Sequence, residues 1–263
     1  MPPPLIGILG GMGPAAGVDM VSRITEETLS STDQDHCPVL LYSPPGDIPD
    51  RTSYLLGHSS SDPAAPIADA LVRMAGAGVT VAAIACNTAH ADPILRSVMQ
   101  RLGRDAPELR LLHMIEETVA ALGDIVPGAS TIGILGTQGT YRFRLYEDRL
   151  RKAGYDCVIP PRQVREHVVH DAIYDRSFGI KANPRSVTPK ARENIISAVR
   201  TLRDQGADAV ILGCTELPLA VRDAFVEGLP VIDPARMVAR ALIRDVLPER
   251  LRPWPVPSLS VRR

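Results

Sequence analysis

Short runs of Val, Ile, Leu and Ala recur along the chain, bounded by Gly, Pro or Asp. Between them lie longer stretches in which apolar residues return with helical spacing. The short runs predict buried strands at Leu5–Leu9, Val39–Tyr42, Val79–Ala85 and Leu109–Leu112, and again at Thr131–Leu135, Cys157–Ile159, Ala209–Leu212 and Pro230–Ile232. The amphipathic stretches predict helices at Ala15–Leu29, Ala64–Ala77, Asp92–Leu102, Thr140–Ala153, Thr188–Gln205 and Ala235–Val246. Strands that alternate with helices imply parallel sheets and an α/β fold.

The pattern also repeats. Gly7-Ile8-Leu9-Gly10-Gly11-Met12-Gly13-Pro14 resembles Gly133-Ile134-Leu135-Gly136-Thr137-Gln138-Gly139-Thr140, an offset of 126 from position 7 to position 133. Ile84-Ala85-Cys86-Asn87-Thr88 resembles Leu212-Gly213-Cys214-Thr215-Glu216, an offset of 128 from position 86 to position 214. Two matches at nearly one spacing imply two pseudosymmetric Rossmann-like α/β domains, each with one cysteine at the C-terminal end of a strand. Ligands of open α/β sheets bind beyond those strand ends, so the active site is expected in the cleft between the domains. The expected boundaries are 1–112 for the first domain and 113–225 for the second. The C-terminal segment 226–263, with its helix, is expected to pack back on the first. A chain of 263 residues has material for this arrangement.

Composition narrows the function. Aromatic residues are only 4% of the chain and the net charge is −1, so a base-stacking surface or a polyanion partner is not expected. No apolar run approaches the roughly 18 residues that span a bilayer. Met1-Pro2-Pro3-Pro4 lacks a basic signal-peptide start, which points to the cytoplasm and to free thiols. The cysteines Cys37, Cys86, Cys157 and Cys214 form no C-x-x-C pair, and His90, His167 and His170 have no metal-ligand spacing, so no metal is expected. The Pro- and Arg-containing tail Pro248–Arg263 reads as an irregular surface segment.

Either thiol alone would read as a small buried hydrophobe. The pair reads differently, because racemisation needs a base on one face of Cα and an acid on the other, and pseudosymmetric thiols supply both. Asn87 or Thr88 is expected to cap a helix after Cys86, whose free N–H groups would favour a thiolate or a carboxylate nearby. Arg51, in Gly46-Asp47-Ile48-Pro49-Asp50-Arg51-Thr52, suits bidentate pairing with a carboxylate. Gly11-Met12-Gly13-Pro14-Ala15-Ala16 fits a dinucleotide fingerprint, but Asp33 and Asp35 precede the second strand instead of ending it. A turn that lets a substrate approach the backbone is the better reading.

Taken together, Gly7 to Pro14, Ile48-Pro49-Asp50-Arg51-Thr52, Ala85-Cys86-Asn87-Thr88-Ala89-His90, Met114-Ile115-Glu116-Glu117-Thr118 and Gly213-Cys214-Thr215-Glu216 resemble the aspartate/glutamate racemase superfamily, and within it the aspartate racemase branch. The resemblance implies cofactor-independent interconversion of L- and D-aspartate, with glutamate the second candidate, and Cys86 and Cys214 as the catalytic pair. It also implies that Arg51 and a lysine of the second domain hold substrate carboxylates, while Met12, Asn87, Thr88, Thr215 and Glu216 line the pocket. No cofactor, metal, nucleic acid or membrane enters, and a homodimer is compatible. One departure concerns the lysine. The family run places it four residues after a tyrosine, whereas Lys181 stands seven after Tyr174, in a segment Asp175–Pro189 that reads as an enlarged loop. Lys181 is assigned the role. The rival readings are a broad-specificity racemase, another isomerase, a decarboxylase or lyase using one cysteine, and a non-catalytic ligand-binding protein.

Overall fold

The structure is a computed structural model and describes residues 4–254. Its first half runs β1 (Leu5–Leu9), α1 (Pro14–Glu27), β2 (Val39–Tyr42), α2 (Arg51–Leu55), α3 (Ala64–Gly76), β3 (Val79–Ile84), α4 (Asp92–Asp105), β4 (Arg110–Leu112), α5 (Met114–Ala120) and α6 (Leu122–Ile125). Its second half runs β5 (Thr131–Gly136), α7 (Gln138–Arg142), α8 (Glu147–Lys152), β6 (Asp156–Val158), α9 (Arg162–Val164), α10 (His170–Tyr174), α11 (Pro189–Asp204), β7 (Ala209–Gly213), α12 (Leu217–Ala220), β8 (Phe225–Val226), β9 (Leu229–Ile232) and α13 (Pro234–Val246).

The first sheet has the strand order β2-β1-β3-β4, all parallel. The second has the order β6-β5-β7-β9-β8, parallel except for the β8–β9 edge hairpin. The central strands of the two sheets correspond in order, β1 to β5, β2 to β6 and β3 to β7. The repeat seen in the sequence is therefore a repeat of topology.

Both faces of each sheet are covered, which is why the strands read as continuous apolar runs. Ile6, Ile8, Val81 and Ala83 pack with Met20 of α1 and Val238 and Leu242 of α13. Leu9, Ala82 and Ile84 turn the other way, toward Ile67 and Leu71 of α3 and Ile94 and Val98 of α4. In the second half, Val210 and Leu212 meet Ile195, Val199 and Leu202 of α11. Ile132, Ile134 and Ile211 belong to the same apolar cluster as Leu9 and Ile84, so one core runs through both halves. The C-terminal helix α13 lies against α1 and α5.

Three local readings change. The expected helix Thr140–Ala153 is two helices, broken where Arg144 adopts φ 49°. Adjacent residues of a continuous helix diverge by about 100°, whereas the break buries both Leu145 and Tyr146. The loop after β2 contains the short helix α2, because the Asp50 side chain accepts from Ser53 N at 2.7 Å. No helix follows Cys86 directly. A single 3₁₀ turn, Thr88–His90, comes first, neither Asn87 nor Thr88 caps it or α4 with its side chain, and α4 begins only at Asp92. Pro248–Arg250 form another 3₁₀ turn; beyond residue 254, the tail lies outside the described residues.

Candidate active site

Strands β3 and β7 deliver Cys86 and Cys214 just past their C-terminal ends, and both are nearly buried, at 5% exposure. All nine residues singled out in the sequence line one small cavity: Met12, Arg51, Cys86, Asn87, Thr88, Lys181, Cys214, Thr215 and Glu216. Thr137, Tyr174 and Gly213 complete the lining. Gly213 and Tyr174 stood in the segments that drew attention to their neighbours. Thr137 had a weaker signal, as the counterpart of Gly11 in the repeat.

The β1–α1 turn enters the cavity through its backbone. Gly11 takes φ +88° against the Pro44–Pro45 backbone, a conformation and an approach that suit glycine alone. Gly13 N–H donates to Glu216 Oε1 at 3.0 Å. A Cβ on Gly13 would lie 3.3 Å from that oxygen, so a side chain there would crowd the carboxylate.

Arg51 is buried at the start of α2. It donates to Met12 O at 2.7 Å and to Pro49 O at 2.8 Å, and its Nε has no partner. These carbonyls fix the guanidinium while leaving it without a carboxylate of its own in the cavity. Its charge also faces the Cys86 thiol, whose sulfur is 3.3 Å from Thr88 Oγ1. Asn87 is held by Tyr146, whose hydroxyl donates to Oδ1, while Asn87 Nδ2 is buried without a partner. Two donors, Arg51 Nε and Asn87 Nδ2, are thus left over in the cavity wall, and buried donors of this kind favour an anionic ligand.

The second half contributes a charged pair. Lys181 Nζ is 2.6 Å from Glu216 Oε1 and 3.3 Å from Met12 O. The shifted spacing after Tyr174 is absorbed by turns over Asp175–Asn183, where Asp175 Oδ1 accepts from Ser177 N and Phe178 N, and Lys181 N bonds back to Ile173 O. Lys181 therefore reaches the cavity despite the longer run. The segment Asp175–Thr188 holds neither helix nor strand. Glu216 Oε2 accepts from Cys214 Sγ at 3.0 Å. Burial pushes the Glu216 carboxyl up, but Lys181 and the hydrogen bonds pull it below its ordinary value, so it stays ionised. Burial first and Glu216 second push the Cys214 thiol well above its ordinary value.

Tyr174 lines both this cavity and an open cleft bounded by Asp50, Ser53, His58, Arg162 and His170. His90 is structural. Its Nδ1 is 2.8 Å from Cys86 O, its Nε2 accepts from Met114 N, and burial with His113 nearby pulls it down to about 3. Among the described residues no group of His, Cys, Asp and Glu is arranged to hold a metal ion, and no helix is long and apolar enough to cross a membrane.

The family model for Asp/Glu/hydantoin racemases matches residues 9–242. The chain belongs to this family. The aspartate racemase of Picrophilus torridus superposes with a TM-score of 0.76 at 29% identity, covering 92% of this chain and 94% of that one. A glutamate racemase of Deinococcus radiodurans is 28% identical over 176 residues, 66% of this chain but only 55% of its own length. The chain thus spans about half the length of that curated relative. A glutamate racemase of Francisella tularensis, solved with D-glutamate, shares the fold, with a TM-score of 0.64 at 16% identity over 96% of this chain and 84% of that one. The α/β architecture is shared with these solved racemases.

Proposed function

We propose that this family member is a cofactor-independent amino-acid racemase that interconverts L- and D-aspartate, with Cys86 and Cys214 as its two acid/base groups. One observation carries the reading. Two thiols, at equivalent strand ends of the two halves, line the same small cavity. One thiolate removes the Cα proton while the other thiol returns a proton to the opposite face. A decarboxylase or lyase needs only one such group, and a binding protein needs neither.

The charges of the lining support an acidic substrate. Arg51 and Lys181 are cations suited to two carboxylates, and Glu216 is an anion suited to an ammonium. Aspartate presents two carboxylates and one ammonium. Glutamate presents the same three groups. The likeness to the P. torridus aspartate racemase and the close quarters of the lining favour the shorter acid.

The Cα–H bond is a far weaker acid than a thiol, so the carbanion-like state must be stabilised. Since α4 begins six residues beyond Cys86, a helix start does not supply that field. Arg51, Lys181 and the spare Asn87 amide are the groups available, and preorganised donors of this kind are worth several kcal/mol in a dry site.

The test offers the metal-free protein each L-amino acid in deuterated water and follows chirality and Cα deuterium. Aspartate should racemise with one deuterium at Cα. Deuterium gain and D-product confined to a different amino acid would remove the substrate assignment, and no exchange with any amino acid would remove the racemase reading.

A further inference from the structure

The two thiols occupy equivalent places, but their surroundings differ. Cys86 has a hydroxyl at 3.3 Å and a guanidinium facing it. Cys214 has a carboxylate at 3.0 Å, placed so that the thiol donates to it. That carboxylate cannot easily swing aside. Its other oxygen accepts from Lys181 Nζ at 2.6 Å and from Gly13 N at 3.0 Å, and Glu216 is only 4% exposed. The first half of the chain thus grips one end of Glu216 through a glycine backbone, and the second half holds it through a lysine.

A thiolate has no proton to donate, and at this distance it would face a like charge. We infer that Glu216 is a positioning residue that keeps Cys214 as the proton-bearing thiol of the unliganded enzyme, leaving Cys86 as its base. The inference rests on the two-thiol reading above and adds to it an order: the two thiols are not interchangeable before substrate arrives. It also gives Glu216 a task other than lining the pocket for substrate.

The other groups around Cys214 leave this balance intact. Tyr141, Tyr146 and Tyr174 are all raised by burial and remain neutral near pH 7. Among the described residues Lys181 is the one cation on this side, and the carboxylate at 2.6 Å takes up much of its pull on the sulfur. Cys86 lies across the same cavity, and a thiolate there adds to the cost of a second one at Cys214.

Steady-state rates cannot test this order. The two enantiomers have equal free energy, so kcat/KM must be the same in both directions for every variant. The thiols themselves must be read. The unliganded protein is treated with iodoacetamide from pH 6 to 10, and the rate at each cysteine is followed by mass spectrometry. In the wild-type protein Cys86 should react well ahead of Cys214 near pH 7. Glu216→Gln should move the Cys214 profile to lower pH by about one unit or more, raising its rate near pH 7 about tenfold, because thiolate fraction controls attack. Glu216→Asp should stay nearer the wild-type profile. Glu216→Ala removes the carboxylate without leaving an amide beside the sulfur and should move the Cys214 profile to lower pH as well. That second variant bears on the inference even where Glu216→Gln folds poorly.

A Cys214 profile unchanged or moved upward by Glu216→Gln would overturn the inference, and so would an unchanged or raised profile in Glu216→Ala. Neither readout needs turnover. Expected profiles in a protein that racemises nothing would leave the charge arrangement standing and remove the racemase reading. Contrary profiles in an active racemase would remove this inference alone.

Discussion

The Tyr146 hydroxyl donates to Asn87 Oδ1 at 2.5 Å, tying the break between α7 and α8 to the residue that follows Cys86. Tyr146 is fully buried, and the bond joins the second half of the chain to the first. Asn87 is thereby fixed through its oxygen, with its amide left over in the cavity. Tyr146→Phe keeps the packing but leaves that oxygen buried without a donor. The expected loss of stability is about 1–3 kcal/mol, read as a lowered midpoint in urea. Turnover should fall as well, because Asn87 is then free to reorient. A variant with the wild-type midpoint would show that the bond does not bind the halves.

His90 predicts a dependence of stability on pH. Folded, it is pulled down to about 3 by burial first and by His113 second, against an ordinary value of 6.5. Between those values the unfolded chain binds a proton that the folded protein refuses. Stability from this group is therefore complete above pH 6.5 and declines as the pH falls toward 3. From pH 7 to pH 5 the loss from His90 alone is about 2 kcal/mol. His113 is pulled down to about 4 by burial and Arg149, so it acts in the same direction. Urea unfolding at pH 7, 6 and 5 should show this slope, and His90→Gln should flatten it. Equal slopes in the two proteins would assign the effect elsewhere.

Arg51 and Lys181 should both be needed for aspartate turnover. A charged hydrogen bond lost from a dry site costs roughly 1.5–3 kcal/mol, about 10- to 150-fold in rate. Arg51→Lys should not rescue Arg51→Ala, since a lysine cannot reproduce the planar fork that also reaches Met12 O and Pro49 O. Wild-type kinetics in Lys181→Ala would mean that the lysine serves Glu216 and not the substrate.

The thiols should separate in partial reactions. Serine is a poor base near neutral pH, so Cys86→Ser and Cys214→Ser should each abolish net racemisation. By resemblance to the family, Cys214 is expected to act on the L-enantiomer and Cys86 on the D-enantiomer. Cys86→Ser should then still exchange the Cα proton of L-aspartate with deuterated solvent, and Cys214→Ser that of D-aspartate. Exchange with the opposite preference would reverse the assignment. Full racemisation by either variant would end the two-thiol mechanism. Alkylation should reach Cys86 before Cys37 or Cys157, both raised chiefly by burial, and aspartate should protect it.

Turnover should persist without added pyridoxal phosphate and in the presence of EDTA. Restoration of a lost activity by either the cofactor or a metal would contradict a mechanism built on thiols.

Much of this protein follows from local order in the chain. Strands buried on both faces must be continuously apolar, and helices between them must be amphipathic, so the α/β class is written into residue spacing. Duplication leaves its mark in the Gly-rich turns and in the segments around Cys86 and Cys214, because equivalent turns need equivalent small residues. These signals brought out Cys86 and Cys214, and the family resemblance added pocket roles for Met12, Arg51, Asn87, Thr88, Lys181, Thr215 and Glu216; the structure gathers all nine around one cavity. What spacing does not contain is which groups meet across the two halves. The pairing of Glu216 with Lys181, Gly13 and Cys214 depends on chain segments far apart in sequence. So does the capture of Asn87 by Tyr146, which replaces the helix cap that its local context suggests. Periodicity reports the side of an element that is buried. Only the packing of β1, β3, β5 and β7 decides which polar groups share that burial, and the low dielectric there makes their charges, rather than their positions along the chain, set what each thiol is able to do.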